Sequence, residues 1–395
     1  MTSDPVVIVG AARTPMGGLG GDFGTVPAPK LGAAAIAEAI SRAGIKAEDV
    51  DDVVMGVVLP AGQGQAPARQ ASIGAGVPKD IGATTINKMC GSGMKAAMFA
   101  HDNILAGSHD VMVAGGMESM SMAPYLLPNA RTGMRMGHGE VKDHMFLDGL
   151  EDAYEEGKLM GAYAEATAQS YQFTRESQDA FAITSLERAR QAIGDGTFAK
   201  EIVPVTVKTR KGETVVEIDE QPGNAMPEKI PNLRPAFAKD GTVTAANSSS
   251  ISDGAAALIL MRQSEAEKRG LKPLAVIHAH ATHAQEPEWF TTAPIGAIKK
   301  VLDKTGWDKD DVDLYEINEA FAVVTMAAMQ DLGISHDKVN VHGGACALGH
   351  PVGASGARII VTLLNALEKY DKTKGIASLC IGGGEGTAIA IERIN

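Results

Sequence analysis

Residues 84–116, TTINKMCGSGMKAAMFAHDNILAGSHDVMVAGG, decide the fold. Residues 84–89 read as a strand, residues 94–105 have helical spacing, and residues 110–114 (DVMVA) read as a strand ending at Gly115-Gly116. Cys90 falls where the first strand meets the helix, in Cys90-Gly91-Ser92-Gly93. The unpaired N–H groups and positive end of a helix favour a thiolate there. The flanking glycines allow a substrate close to the backbone. A buried structural thiol is the plainer alternative; the Gly-Ser-Gly context favours a nucleophile.

Outward from this stretch, residues 6–9 form a β-rich run ended by Gly10, and residues 31–43 (LGAAAIAEAISRA) a helix stopped by Gly44. Residues 52–59 read as a buried strand closed by Pro60. Strands alternating with helices predict an α/β fold with a largely parallel sheet. From about residue 118 to 250 the texture shifts to Met, Asp, Glu, Tyr and Pro, with one clear helix near 175–192 and a β-like run at 202–207. We read this as an inserted loop domain. The α/β pattern resumes at 254–261 and 274–279.

The C-terminal part repeats the first. A strand at 313–317 leads into Asn318-Glu319-Ala320-Phe321; Gly353-Ala354-Ser355-Gly356 precedes a helix through Leu367; a strand at 376–381 ends at Gly382-Gly383-Gly384. Gly93 to Gly115 spans 22 residues and Gly356 to Gly382 spans 26. Two copies of one α/β unit are the economical reading. The chain then divides into residues 1–270, with the insertion over about 119–250, and residues 271–395.

Composition bounds the function. A chain of 395 residues suggests two or three domains. A net charge of −12 argues against nucleic acid and anionic membranes. Lys208, Arg210, Lys211, Lys229 and Arg234 still make a locally basic stretch that could hold phosphates. No run of about 18 apolar residues predicts a membrane span. Met1-Thr2-Ser3-Asp4-Pro5 lacks the pattern of a signal or transit peptide, and Glu392-Arg393-Ile394-Asn395 is not a peroxisomal signal. Three cysteines in so long a chain make a disulfide framework unexpected and a cytoplasmic setting the expectation.

Two further residues stand out chemically. Cys380 ends an apolar strand just before three glycines, so it reads equally as a core thiol or as part of a site where backbone N–H groups meet an oxyanion. His350 lies between Gly349 and Pro351 in a loop of small residues, where catalysis explains it better than packing. Cys with His is a nucleophile–base pair. His278 and His280 alternate along one strand and would share a face, but no third ligand at metal spacing accompanies them, so no metal site is expected. Gly382–Gly386 fails the dinucleotide-binding glycine pattern, and no phosphate-binding loop sequence is present.

At these residues the sequence resembles the thiolase family over essentially its whole length. The matching motifs are NKMCGSG (87–93), GGMESMS (115–121), NEAFA (318–322), GGACALGHPVGASG (343–356) and CIGGGEG (380–386). LPAGQGQAPARQ (59–70) and TVTAANSSSISDGAAA (242–257) also fit its acetyl-CoA acetyltransferase branch. The resemblance implies a five-layer αβαβα sandwich of two βαβαβαββ halves with a loop domain inserted in the first, and a homodimer or homotetramer. It implies reversible Claisen condensation of acetyl-CoA, with coenzyme A as substrate and no separate cofactor. By motif, Cys90 resembles the nucleophile, His350 its base, and Cys380 the group that removes the α-proton of the second acetyl-CoA. His350 with a water held by Asn318 resembles the enolate-binding hole. The N–H groups of Cys90 and Gly382 resemble the hole for the acyl oxyanion. Leu150, Met160, Phe237 and Ser249 match positions that contact coenzyme A.

There are departures. Gln221-Pro222-Gly223-Asn224 stands where many biosynthetic members carry an Arg near the adenine phosphates. Phe290-Thr291-Thr292-Ala293-Pro294 replaces a Met-Gly-x-Gly-Pro segment beside the acyl site. Cys346 replaces a commoner aliphatic residue and is read as packing. Degradation of longer or branched 3-ketoacyl-CoA, and a non-catalytic acyl-CoA or lipid carrier of the same fold, are the competing readings.

Overall fold

A computed structural model describes residues 4–209 and 212–394; readings made on Met1–Ser3, Arg210, Lys211 and Asn395 lie outside them. The first half supplies β1 (Val6–Arg13), β2 (Gly17–Gly18), α1 (Ala28–Ala43), β3 (Asp52–Gly56), α2 (Pro67–Gly74), β4 (Gly82–Ile86), α3 (Ser92–Ala106) and β5 (Val111–Ser119). The insertion holds β6 (Tyr125–Leu126), β7 (Lys142–Asp143), α4 (Met160–Tyr171), α5 (Arg175–Gly194), the hairpin β8 (Val205–Thr209) and β9 (Gly212–Val216), and α6 (Glu220–Asn224). The chain returns through β10 (Ser252–Arg262) and α7 (Gln263–Lys268). The second half is β11 (Ala275–Ala284), α8 (Ala293–Thr305), β12 (Leu314–Ile317), α9 (Ala322–Leu332), α10 (Ala345–Leu348), α11 (Val352–Lys369), β13 (Lys374–Ile381) and β14 (Glu385–Arg393).

Both halves follow one connectivity. In the first, β3 lies parallel to β4 and β5, while β10 runs antiparallel to both β5 and β1. In the second, β12 is parallel to β13, and β14 runs antiparallel to both β13 and β11. A single parallel bridge, Tyr315 to Val339, stands where β4 stands in the first half. The halves join through Val7↔Val276 and Ile8↔Ala275. The sheet is therefore mixed, not largely parallel. β14 follows β13 through a tight turn, and β10 returns from the insertion, so neither is reached by a crossover helix that would make it parallel.

Side-chain alternation sets the layers. Val53, Met55 and Val113 pack against α1 and α2, while Val54, Met112 and Ala114 pack against α3 and α11. From the second half, Ala377, Leu379 and Ile389 face the same central helices, whereas Ile376, Ala388 and Ala390 face α8 and α9. The order is helix, sheet, helix, sheet, helix. α11 is buried from Val352 to Leu367 because it is covered on both sides.

The glycine motifs make that central layer possible. A Cβ at Gly93 would lie 2.7 Å from the Ala357 nitrogen, and one at Gly356 2.4 Å from the Met94 nitrogen. Thus the matching glycine segments of the two halves touch each other, helix to helix. Gly115 and Gly116 do not end their strand as expected; β5 runs on to Ser119. A Cβ at Gly116 would meet the Gly353 carbonyl oxygen at 2.0 Å, so this glycine serves the approach of α11. The strand expected over 52–59 stops at Gly56, because the Val58 and Leu59 N–H groups donate to Glu118 at 2.9 and 3.2 Å. The insertion also holds a second long helix, α4, whose small residues lack a clear apolar stripe.

His278 and His280 do not share a partner. A register shift between Ile277 and Ala279 falls at His278, which packs on Trp307 and pairs with Glu392 at 2.6 Å. His280 instead meets α3, where Asp102 Oδ1 lies 2.9 Å from His280 Nε2 and 3.1 Å from His101 Nδ1. One carboxylate oxygen thus joins both rings, and Lys95 and Lys304 add positive charge around them.

Candidate active site

The turn before α3 carries Cys90. Met89 has φ 47°, a left-handed conformation that is strained for a long side chain. Three hydrogen bonds hold it. The Met89 N–H donates to Asn87 Oδ1 at 2.8 Å, the Lys88 N–H donates to Ser92 Oγ at 2.8 Å, and that hydroxyl donates to the Met89 carbonyl at 2.6 Å. The motif residues around Cys90 therefore build the turn that presents it.

Cys90 opens on an apolar cavity of about 370 Å³. His350 and Gly382 line the same cavity, as do Leu150, Met160, Phe237 and Ser249. Phe290, Ala320 and Phe321 close it. Cys380 and Asn318 pack against residues that line it. Cys380 is fully buried among Tyr163, Phe290, Ala320 and Phe321, and Asn318 Nδ2 is 3.5 Å from His350 Nδ1.

Electrostatics modify one expectation. The helix start was expected to favour the Cys90 thiolate, but burial pushes this thiol up to about 11, with Glu118 adding to the rise. The N–H groups of Gly382 and of Cys90 itself, directed at the sulfur, oppose that rise and are outweighed. Cys380 is raised well above the usual thiol range by burial and by the neighbouring Cys90. Both thiols are neutral at pH 7. Inactivation of the free enzyme by iodoacetamide is therefore expected to accelerate steadily from about pH 7 to 10 without levelling off. A plateau below pH 8 in the rate of inactivation would contradict this.

His350 is set as a base. The Ser355 hydroxyl donates to the Pro351 carbonyl at 3.0 Å, leaving its oxygen to accept from His350 Nδ1 at 2.5 Å. That assigns the proton to Nδ1 and the lone pair to Nε2, which has no hydrogen-bond partner. Burial, with a smaller contribution from Arg358, pushes the imidazole down to about 3. It is neutral and able to accept a proton.

Three contributors escaped the sequence reading. Glu118, fully buried on β5, accepts from the N–H groups of Val58, Leu59 and Gly353, tying β5 to the start of α11; burial raises it to about 7. Its signal was an acid inside an apolar strand, within the GGMESMS motif. Ser355 and Arg358 lie one helical turn or more beyond His350 and could be connected to it only through the helix.

A second cavity of about 300 Å³ shares Ala245 and Ser250 with the first. Gln221, Asn224, Lys229 and Cys346 line it. Lys229 is thus the member of the basic stretch placed at a cavity, whereas Lys208 pairs with Glu213 on an exposed face at 2.9 Å. The Cys346 thiol donates to the Glu319 carbonyl at 3.7 Å and is raised well above the usual range by burial and Glu319. All three cysteines are free. Among the described residues no helix is long and apolar enough to cross a membrane.

A thiol on a strained turn, a neutral imidazole with a free Nε2 and inward N–H groups around an apolar cleft define an acyl-transfer site in a duplicated α/β fold. The chain belongs to the thiolase family: the family's N-terminal domain matches residues 6–264 and its C-terminal domain residues 271–393. An acetyl-CoA acetyltransferase of Chromobacterium violaceum is 50% identical over 390 residues, 98% of this chain and 99% of that protein. A mouse protein named acetyl-CoA acetyltransferase, cytosolic, is 50% identical over 394 residues, 99% of each chain. The crystal structure of the Bacillus anthracis acetyl-CoA acetyltransferase superimposes with a TM-score of 0.96 at 42% identity, covering 99% of both chains.

Proposed function

We propose that this chain is an acetyl-CoA C-acetyltransferase, joining two acetyl-CoA into acetoacetyl-CoA and coenzyme A through an acyl-Cys90 thioester. The observation that carries the reading is the free His350 Nε2 on the same cavity wall as Cys90 and Gly382. In the first half-reaction Cys90 passes its proton to His350 as sulfur attacks the thioester carbonyl. The Cys90 and Gly382 N–H groups receive the oxyanion, and coenzyme A leaves with the proton from His350. In the second, Cys380 passes its proton to His350 Nε2 and, as thiolate, removes the α-proton of a new acetyl-CoA. The carbanion attacks the acyl-cysteine, and Cys90 leaves as a thiolate that recovers the proton from His350 as product forms. Burial makes a thiolate at Cys380 a strong base, which suits a weakly acidic C–H. The two thiols and the imidazole titrate as one coupled set.

Leu150, Met160, Phe237 and Ser249 guide the pantetheine arm along the cavity, and the adjoining cavity with Lys229 receives the far end of coenzyme A in the absence of the family Arg. Coenzyme A is substrate; no cofactor or metal enters the scheme. We further read the chain as two repeated domains, residues 1–270 and 271–395, acting in cytoplasmic fatty-acid metabolism as a homodimer or homotetramer. The outer strand β4, paired on one side only, supports association with a second copy.

Phe290, 2% exposed and edge-on to Tyr163 at 6.3 Å, lines the cavity on which Cys90 opens. Thr291 behind it is locked to Thr167 at 2.5 Å. This bulk supports a short-chain preference over the degradative alternative. Thiolysis rates for acetoacetyl-CoA and a ten-carbon 3-ketoacyl-CoA, at equal concentration with added coenzyme A, test it. Strong preference for acetoacetyl-CoA is expected; equal or faster long-chain cleavage would move the enzyme to the degradative class.

A further inference from the structure

Arg358 sits in the middle of the buried helix α11 and is 1% exposed. Its guanidinium is poorly paired for a structural salt bridge. Nη1 lies 3.6 Å from Glu316 Oε2, Nη2 donates to Asn318 Oδ1 at 3.4 Å, and Nε, Nη1 and Glu316 Oε1 have no hydrogen bond. A stabilising buried pair is normally bidentate and fully satisfied. An arrangement this open contributes little to stability relative to apolar side chains of the same volume. Its position is therefore better explained by Asn318.

The backbone of Asn318 is fixed: its N–H donates to the Ser378 carbonyl, and its carbonyl accepts from Ala320, each at 3.0 Å. Its side-chain amide could still turn over, exchanging Oδ1 and Nδ2 with almost no change of shape. A guanidinium has five donors and no acceptor, so it tolerates only oxygen. We propose that Arg358 is a positioning residue that holds Asn318 Oδ1 and thereby keeps Nδ2, on the His350 side of the amide, as the donor left for a water that stabilises the enolate oxygen. This rests on the thiolase reading of the site. Arg13, Glu201, Glu316 and Glu319 complete the charged surroundings of Arg358, and its own charge is the one that acts on His350.

The role predicts damage to one half-reaction. Two rates separate the halves: release of coenzyme A on acylation of Cys90, and exchange of the acetyl-CoA methyl hydrogens with deuterium oxide. The double variant Arg358→Met with Glu316→Gln removes the guanidinium together with its carboxyl neighbour, which burial raises to about 8, so no ionisable group is left unpaired there. It is expected to unfold at or above the wild-type temperature, to acylate at the wild-type rate, and to lose about 10-fold or more in methyl exchange, a fraction of what direct loss of an oxyanion donor costs. Arg358→Lys keeps the charge without the planar fork and is expected to fall in exchange as well. If the double variant does not fold, Arg358→Lys decides alone. Wild-type exchange in a folded variant overturns the proposal, as does an equal loss in both half-reactions. Failure of the wild-type enzyme to release coenzyme A from acetyl-CoA would instead overturn the thiolase reading.

Discussion

Cys90→Ala is expected to lower thiolysis of acetoacetyl-CoA by about 10⁴-fold or more, the usual scale for removing a covalent nucleophile. No other group can replace it. In the proposed scheme Cys380 serves the α-proton of the second acetyl-CoA, and Cys346 opens on the neighbouring cavity. Folding should be nearly unaffected, because the presenting turn is held by Asn87, Lys88 and Ser92 and not by the thiol. Acyl-CoA binding, made by the cavity walls, should persist. Loss of substrate absorbance after adding coenzyme A measures the rate, and acyl-CoA binding provides the control. A variant with full thiolysis would sink the mechanism; a wild type that binds acyl-CoA but never turns over would favour the carrier reading.

The second large effect is expected from His350→Ala, a loss of about 10³-fold in kcat at neutral pH, within the range for removing a general base. The reason is the height of the Cys90 thiol, pushed to about 11. At pH 7 almost none is ionised, so attack requires a base that accepts the proton as the C–S bond forms. The variant must rely on thiolate made by solvent, and its residual rate should rise with pH far more steeply than that of wild type. Parallel pH profiles for the two enzymes would contradict the assignment.

The same substitution has a stability consequence of defined sign. His350 is lowered to about 3, below its ordinary value of 6.5, so the folded state favours the neutral ring. The associated stability is present above about pH 6.5 and is lost as pH falls through 3. His350→Ala removes that dependence and should unfold at lower pH than wild type. His336 and His342, each lowered to about 4 by burial, retain theirs in both proteins. Acid titration of the near-ultraviolet circular dichroism reads the difference.

Much of this molecule is legible in its amino-acid order. Local rules were enough for the helix that follows Cys90, for the stop at Gly44, and for the repetition of a glycine segment, helix, strand and glycine turn in the second half; the strand expected over 84–89 instead lies at Gly82–Ile86, and the chain turns before Cys90 with Met89 left-handed. The motifs also named Cys90, His350, Gly382 and the four residues matched to coenzyme A contacts in the family, all of which line one cavity. Their legibility has a physical basis: turns, caps and period-two strands depend on neighbours within a few residues.

What depended on distant residues was not legible. Gly116 looked like the end of a strand and is instead the point where a helix from the other half comes within contact of β5. His280 looked like a companion of His278 until a bulge separated them and α3 supplied Asp102. Glu118 gained its meaning from three N–H groups, two of them about 60 residues away and the third on Gly353 in the other half. Protonation states follow the same division. Local context and the family motifs marked Cys90 and His350 as a nucleophile and a base. Only the folded chain, by burying both and holding Nδ1 against Ser355, determined that the free site is a neutral thiol beside a neutral imidazole, because desolvation is a property of the packed interior and not of the sequence around a residue.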